Sequence, residues 1–139
     1  MPAQPTLDPQ EAVVCTMVLV AAADGGVTDR EIGTMTMLVQ TLPVFRDFSV
    51  ERLEVATDAA VRLLDEADGL NHAASLIRAA LPQRLRETAY ALACEVVASD
   101  REVGQDSLRM LQFLVSELDL DPLVAAAIER GVRVRQRAG

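Results

Sequence analysis

Six carboxylate residues are concentrated in two short segments of the chain, where their spacing could support metal chemistry. The first acidic turn, residues 24–31, contains three of them, and the second acidic turn, residues 100–107, begins 76 residues later with the other three: Asp24, Asp29 and Glu31, then Asp100, Glu102 and Asp106. Carboxylates brought close together repel one another and must be compensated by a cation or by protonation. Because only oxygen ligands are on offer, the pattern favours a hard divalent cation, Ca²⁺, Mg²⁺ or Mn²⁺, over zinc or copper.

The same acids also have a purely structural interpretation. Neither turn follows the EF-hand spacing, which needs oxygen-bearing side chains at the third and twelfth positions. Thr28 and Glu31 form a T-x-x-E capping box, and Asp29 is an acid in a first helical turn, where the helix dipole favours it. A cap does not explain why an aspartate, Asp24 and then Asp100, recurs at the end of each apolar helix.

The acidic turns belong to a longer internal repeat. Each turn ends an apolar helix and begins an amphipathic one whose apolar positions recur at the same spacing: Ile32, Met35, Val39 and Leu42, then Leu108, Leu111, Val115 and Leu118. The repeat halves extend over roughly residues 8–43 and 82–120, and no long linker separates them. We therefore predict one all-α domain over residues 1–139, built from two pseudo-repeated helical hairpins.

Capping residues and prolines predict about seven helices. The expected boundaries are 9–23, 29–42, 50–67, 72–80 with Asn71 as the cap, 82–99, 105–118, and 122 into the C-terminal arginines. Half of the residues are hydrophobic, only 3% are aromatic and Trp is absent, so the interior must be filled by aliphatic side chains typical of helices. The first and fifth helices are apolar and should be central, and residues 44–48 should pack as a loop.

Charge and residue types exclude several functions. A net charge of −8 repels phosphate backbones, so nucleic acid is not expected as a partner. All 13 basic residues are arginines, which removes Schiff-base and P-loop lysines, and the single histidine, His72, has no catalytic triad around it. We therefore predict that the protein is not an enzyme.

The cysteines and the first apolar run predict a cytoplasmic protein. Cys15 and Cys94 lie in apolar helices without metal-ligand spacing, and are expected to be buried and reduced. The apolar run 13–23 follows an N-terminus without basic residues, unlike a signal peptide, and falls short of the ~20 residues that span a bilayer. We do not expect an integral membrane protein.

One carboxylate occurs within an otherwise apolar helix. Glu95 aligns with Leu19 of the first repeat half, and must lie at the helix edge or pair with an arginine or a cation. The edge position is the favoured interpretation. Arg133, Arg135 and Arg137 are explained by the dipole of the last helix, which favours positive charge at its C-terminus.

The first acidic turn carries a recognisable motif. The pattern D-G-x-V-x-x-x-E, echoed in the second turn, resembles the TerB-like tellurite-resistance family and is formed by Asp24, Gly25, Val27 and Glu31, with Asp100 and Val103. The resemblance implies an all-helical domain with a divalent-metal site at the two acidic turns. It also implies a role in tellurite resistance and related stress responses, with membrane-associated and other stress-response partners rather than enzymatic chemistry.

The resemblance also implies particular metal ligands. By position these are the carboxylates of Asp24, Glu31 and Asp100, with the main-chain carbonyls of Val27 and Val103 as further donors.

The second acidic turn departs from this pattern. Arg101 stands where the family has glycine, and Ser107 stands where it has the glutamate. Loss of that carboxylate should weaken cation binding unless Glu102 or Asp106 substitutes. Alternatively, the charge of Arg101 could replace the cation.

The leading hypothesis is therefore a cytoplasmic, non-enzymatic TerB-like domain that binds a divalent cation and serves a stress-related assembly. One alternative is a metal-free interaction module, in which the acids are only caps and residues 44–48 or the arginine-rich tail meet a partner. A less favoured alternative is a carboxylate-dependent hydrolase with metal-activated water, which requires an open coordination position.

Overall fold

The computed structural model describes residues 6–100 and 103–139 of the chain. These residues contain seven α-helices, one 3-10 turn and no strand: α1 (Pro9–Ala22), α2 (Asp29–Thr41), the 3-10 turn (Pro43–Phe45), α3 (Val50–Asp65), α4 (Gly69–Ala80), α5 (Gln83–Ala98), α6 (Gln105–Glu117) and α7 (Pro122–Arg135). The predicted all-α fold is confirmed. The helix boundaries agree with the sequence within two residues except at the start of α4.

The first helix, α1, is the centre of the molecule. All its residues from Ala12 to Ala21 are buried, and it contacts α3, α4, α5 and α6. A helix that is apolar all round has no face to offer to water and must be enclosed. The hydroxyl of Thr16 donates to the Ala12 carbonyl at 2.8 Å, so this one polar group is satisfied within the helix.

The fifth helix packs against α1 as its repeat partner. Eight of its residues are buried, including Ala89 and Tyr90 at the start of the apolar stretch and Val97 near its end. The prediction that the two apolar helices are central is therefore confirmed.

The start of α4 differs from the prediction because Asn71 does not cap the helix. Asp68 occupies the cap position in the left-handed conformation, with φ 57°, and accepts a hydrogen bond from the Asn71 amide at 2.7 Å. A Cβ atom on Gly69 would clash with the main-chain carbonyl of Leu63. The close approach of Gly69 to the end of α3 therefore fixes this turn and requires glycine.

The expectation that Glu95 lies at the helix edge is wrong. Glu95 is only 7% exposed, and its carboxylate accepts hydrogen bonds from Arg135 and Gln136 at the end of α7. Because α7 packs along α5, the arginine reaches the carboxylate from a helix 40 residues away in sequence. The ion pair compensates the buried charge and connects the C-terminal helix to the core.

The remaining expectations about the interior agree with the structure. Phe45 and Phe48 of the loop after α2 are buried, with their ring centroids 5.5 Å apart. Cys15 and Cys94 are buried, and burial raises the pKa of each thiol to about 12, so both stay protonated at neutral pH. Over residues 6–100 and 103–139, no helix has the length and apolar character needed to cross a membrane.

Candidate cation site at the two acidic turns

The first acidic turn is held by a glycine and a capping box. After α1 ends, Gly25 takes φ 107°, a conformation that other residues rarely adopt. The Thr28 main-chain N–H donates to Glu31 Oε1 at 2.8 Å, and the Glu31 N–H donates to Thr28 Oγ1 at 3.2 Å. The predicted T-x-x-E capping box is confirmed, and it uses one carboxylate oxygen of Glu31.

Each acidic turn contacts the start of the helix that follows the other turn. Ser107, in the first turn of α6, donates from Oγ to Asp24 Oδ2 at 2.8 Å. Glu31, in the first turn of α2, has its carboxyl group next to that of Asp100. Since positions 24 and 100 are equivalent in the repeat, as are 31 and 107, the pairs Asp24–Ser107 and Asp100–Glu31 are equivalent contacts.

The Glu31–Asp100 pair places a buried carboxyl beside a second acid. Glu31 is only 4% exposed, and burial is the main cause that raises the pKa of its carboxyl group. Hydrogen bonds from Thr28 lower this pKa, while the charge of Asp100 and a hydrogen bond shared with it raise it again. In the part of the chain that the structure describes, no basic side chain lies within ion-pairing distance of Asp24, Glu31 or Asp100. Among the described residues, a proton shared by the pair is the available compensation, and a bound cation would be another.

The raised pKa of Glu31 predicts a pH dependence of stability. The folded protein holds this proton to a higher pH than the unfolded chain, so the contribution is largest at low pH and is lost as the pH rises from about 4.5 through the raised pKa. In chelated protein, we expect Glu31→Gln to gain stability relative to wild type as the pH rises through this interval. Thermal melts at a series of pH values measure the difference.

The matched control is Glu11→Gln, because Glu11 forms the corresponding capping box with Asp8 at the start of α1. An equal pH-dependent gain in the control variant would show that the effect does not come from the neighbouring Asp100.

Gly104 is a site residue that the sequence did not single out. A Cβ atom at this position would lie 2.9 Å from Asp24 Oδ1 and 3.0 Å from Oδ2, so a larger residue would push the carboxylate aside. Gly104 is the repeat equivalent of Thr28, and it caps α6 without a side-chain hydrogen bond. In the second turn, Gly104 and Ser107 thus replace the two residues of the capping box, Thr28 and Glu31. Ser107 is therefore free to bind Asp24.

The other predicted ligands lie apart from these contacts. Asp29 is exposed in the first turn of α2, and Asp106 is exposed on α6 with Arg109 as its ion-pair partner at 3.9 Å. The prediction that Glu102 is a ligand and the hypothesis that Arg101 replaces the cation concern residues outside the described ranges. Among the described residues, the structure therefore pairs two of the six predicted acids, Glu31 and Asp100, while a third, Asp24, is hydrogen-bonded to Ser107.

The oxygen donors fit a hard cation, but the described carboxylates are not gathered around one point. Across residues 6–100 and 103–139, no three His, Cys, Asp or Glu side chains form a group that could hold a metal ion. Two carboxylates already face each other, but the third, Asp24, is hydrogen-bonded to Ser107. The serine engages only Oδ2 of Asp24, so a three-carboxylate site requires Asp24 to come within reach of the other two carboxylates.

Comparison with known proteins identifies a family. A family model described as Tellurite resistance protein TerB matches residues 10–130, a span that includes both acidic turns. No curated protein and no solved structure matches the chain.

Proposed function

Because the chain belongs to the tellurite resistance protein TerB family, we propose that it is a non-enzymatic domain that binds one divalent cation between its acidic turns. The observation that carries this proposal is the Glu31–Asp100 pair, in which a buried carboxyl faces another acid. A hard cation removes the repulsion and takes oxygen ligands. We also propose that the protein is cytoplasmic and that it binds protein partners in a stress response, some of which are membrane-associated.

Three side chains would hold the cation. Glu31 and Asp100 supply the facing carboxylates, and Asp24 supplies a third through the oxygen that Ser107 does not engage, when it moves within reach of them. The capping box engages Oε1 of Glu31, so the same residue begins α2 and presents its carboxylate to the site. Ca²⁺, Mg²⁺ and Mn²⁺ are the candidate ions because the donor set contains only oxygen.

Calorimetric titration of chelated protein with these three ions tests the proposal. We expect heat from at least one ion, with one cation bound per chain. The absence of both heat and thermal stabilisation for all three ions would contradict cation binding, and would favour the metal-free interaction module. That outcome is also the one expected if Arg101 supplies the compensating charge.

Ser107 is expected to weaken the site, and restoring a glutamate should strengthen it. Ser107→Glu adds a carboxylate and removes the hydroxyl that holds Asp24, so we expect the affinity for Ca²⁺ to rise about tenfold or more. The same titration measures this change. Position 107 is equivalent to position 31, where the fold already accommodates a glutamate.

Ser116→Glu is the matched control, since Ser116 is exposed on the same helix, away from the acidic turns. Equal gains in affinity for the two variants would show that only the overall negative charge matters. An unchanged affinity in a folded Ser107→Glu variant would contradict the placement of position 107 at the site.

A further inference from the structure

A groove between α2 and α3 has an apolar floor and an acidic rim. Its volume is about 280 Å³. Met35 and Leu53 form the floor and are almost completely buried, while Ile32 lies at the mouth with 47% of its surface exposed. Two carboxylates, Glu54 and Asp58, line the α3 side.

The internal repeat supplies a second groove, between α6 and α7, for comparison. Its α6 side is formed by Leu108 and Leu111, the equivalents of Ile32 and Met35, and Leu108 is 45% exposed. The repeat therefore preserves an exposed aliphatic side chain at the mouth of both grooves.

The two grooves differ in their charge. In the α6–α7 groove the carboxylate is Glu129, and it accepts a hydrogen bond from the hydroxyl of Tyr90 at 2.6 Å. In the α2–α3 groove, neither Glu54 nor Asp58 lies within ion-pairing distance of a basic side chain among the described residues. Among the residues that the structure describes, no arginine lines that groove. Its two carboxylates are thus available to an incoming positive charge.

We propose that the α2–α3 groove binds an amphipathic helical segment of a partner protein, with basic residues beside its apolar face. The apolar floor accepts aliphatic side chains spaced three or four residues apart on a helix, and the rim carboxylates select arginine or lysine next to them. Complementary charge of this kind raises the association rate and excludes acidic segments.

The size of the groove favours a short segment over a second copy of this chain. A volume of about 280 Å³ takes two or three aliphatic side chains. A stable dimer, in contrast, buries roughly 1,200–2,000 Å² of surface. Two copies with a net charge of −8 each also repel one another.

Fluorescence anisotropy with a designed peptide tests this proposal. The probe is a labelled helical peptide of about 16 residues, with leucines three and four positions apart and arginines beside them. Its partner peptide carries glutamate in place of each arginine. We expect the arginine peptide to bind with a Kd on the order of 10 µM and the glutamate peptide to bind at least about tenfold more weakly.

Matched variants of the protein locate the binding. Ile32→Asp should weaken binding of the arginine peptide at least about tenfold, whereas Leu108→Asp, at the equivalent position of the other groove, should leave it unchanged. Glu54→Arg should also weaken binding, whereas Glu51→Arg, exposed on the same helix outside the groove, should have little effect.

Three results would overturn the proposal: no binding of the arginine peptide, equal binding of the two peptides, or equal losses in Ile32→Asp and Leu108→Asp. The proposal does not rest on the cation site, because Glu54 and Asp58 lie outside both acidic turns.

Discussion

Asp100→Asn is expected to raise the melting temperature of chelated protein and to abolish its stabilisation by a divalent cation. The first effect follows because the substitution removes the charge that faces the buried Glu31. The second follows because a ligand that binds only the folded state at 100 times its Kd stabilises wild type by about 2.7 kcal/mol. For a chain of this size, the lost stabilisation corresponds to a shift of roughly 10 °C in a calorimetric melt.

Asp106→Asn is the matched control for this variant. Asp106 also belongs to the second acidic turn, but it is exposed and its ion-pair partner is Arg109. The Asp106→Asn variant should therefore have the melting temperature of wild type, both with and without the cation. A lower melting temperature for chelated Asp100→Asn, or a cation response as large as in wild type, would contradict the role of the Glu31–Asp100 pair.

Arg135→Ala is expected to destabilise the protein by about 2 kcal/mol, because it leaves the buried carboxylate of Glu95 without its cationic partner. The arginine itself is largely exposed, so solvent screening keeps the loss below that of a fully buried pair. Urea unfolding followed by circular dichroism measures the change in the free energy of unfolding.

Two further variants separate the ion pair from a general effect of charge. Arg137→Ala removes an exposed arginine two residues later and should cost less than about 0.5 kcal/mol. Adding Glu95→Leu to Arg135→Ala should recover most of the stability, since Leu19 occupies the equivalent buried position in the first repeat half. An Arg135→Ala variant as stable as wild type would show that Glu95 needs no partner.

The sequence predicts the helices of this fold well, because local patterns determine them. The run from Ala12 to Ala21 offers no polar face, so it could only be a central helix. The cap formed by Thr28 and Glu31 depends on residues three positions apart and could be read directly. The sequence does not identify Asp68 as the cap of α4, because its left-handed conformation leaves no clear pattern in the residues around it.

The contacts between the two acidic turns could be predicted only in part. The repeat indicated that Asp24 and Asp100 are equivalent, but it did not show that each turn meets the start of the other turn's helix. The sequence pattern predicts that Ser107 is a lost ligand, whereas in the structure it binds Asp24 across a separation of 83 residues. Such pairings depend on how α1 and α5 cross, and a local pattern does not encode that packing.

The ion pair of Glu95 is a second long-range contact that the local sequence does not predict. The apolar neighbours in the sequence required either an edge position or a partner, and they could not identify Arg135 on another helix. A further signal was present, since four arginines follow Glu129 in the last ten residues of the chain, more than the helix dipole alone requires.

The most direct test of the cation site is the paramagnetic effect of Mn²⁺ on the amide NMR signals of chelated protein. A single ion between the two acidic turns should broaden the signals of residues 24–31 and 103–107 together, at a small fraction of one equivalent. Asp100→Asn should remove this effect. Broadening of only one turn, or of the acidic face of α3 around Glu51 and Glu54, would contradict a shared site.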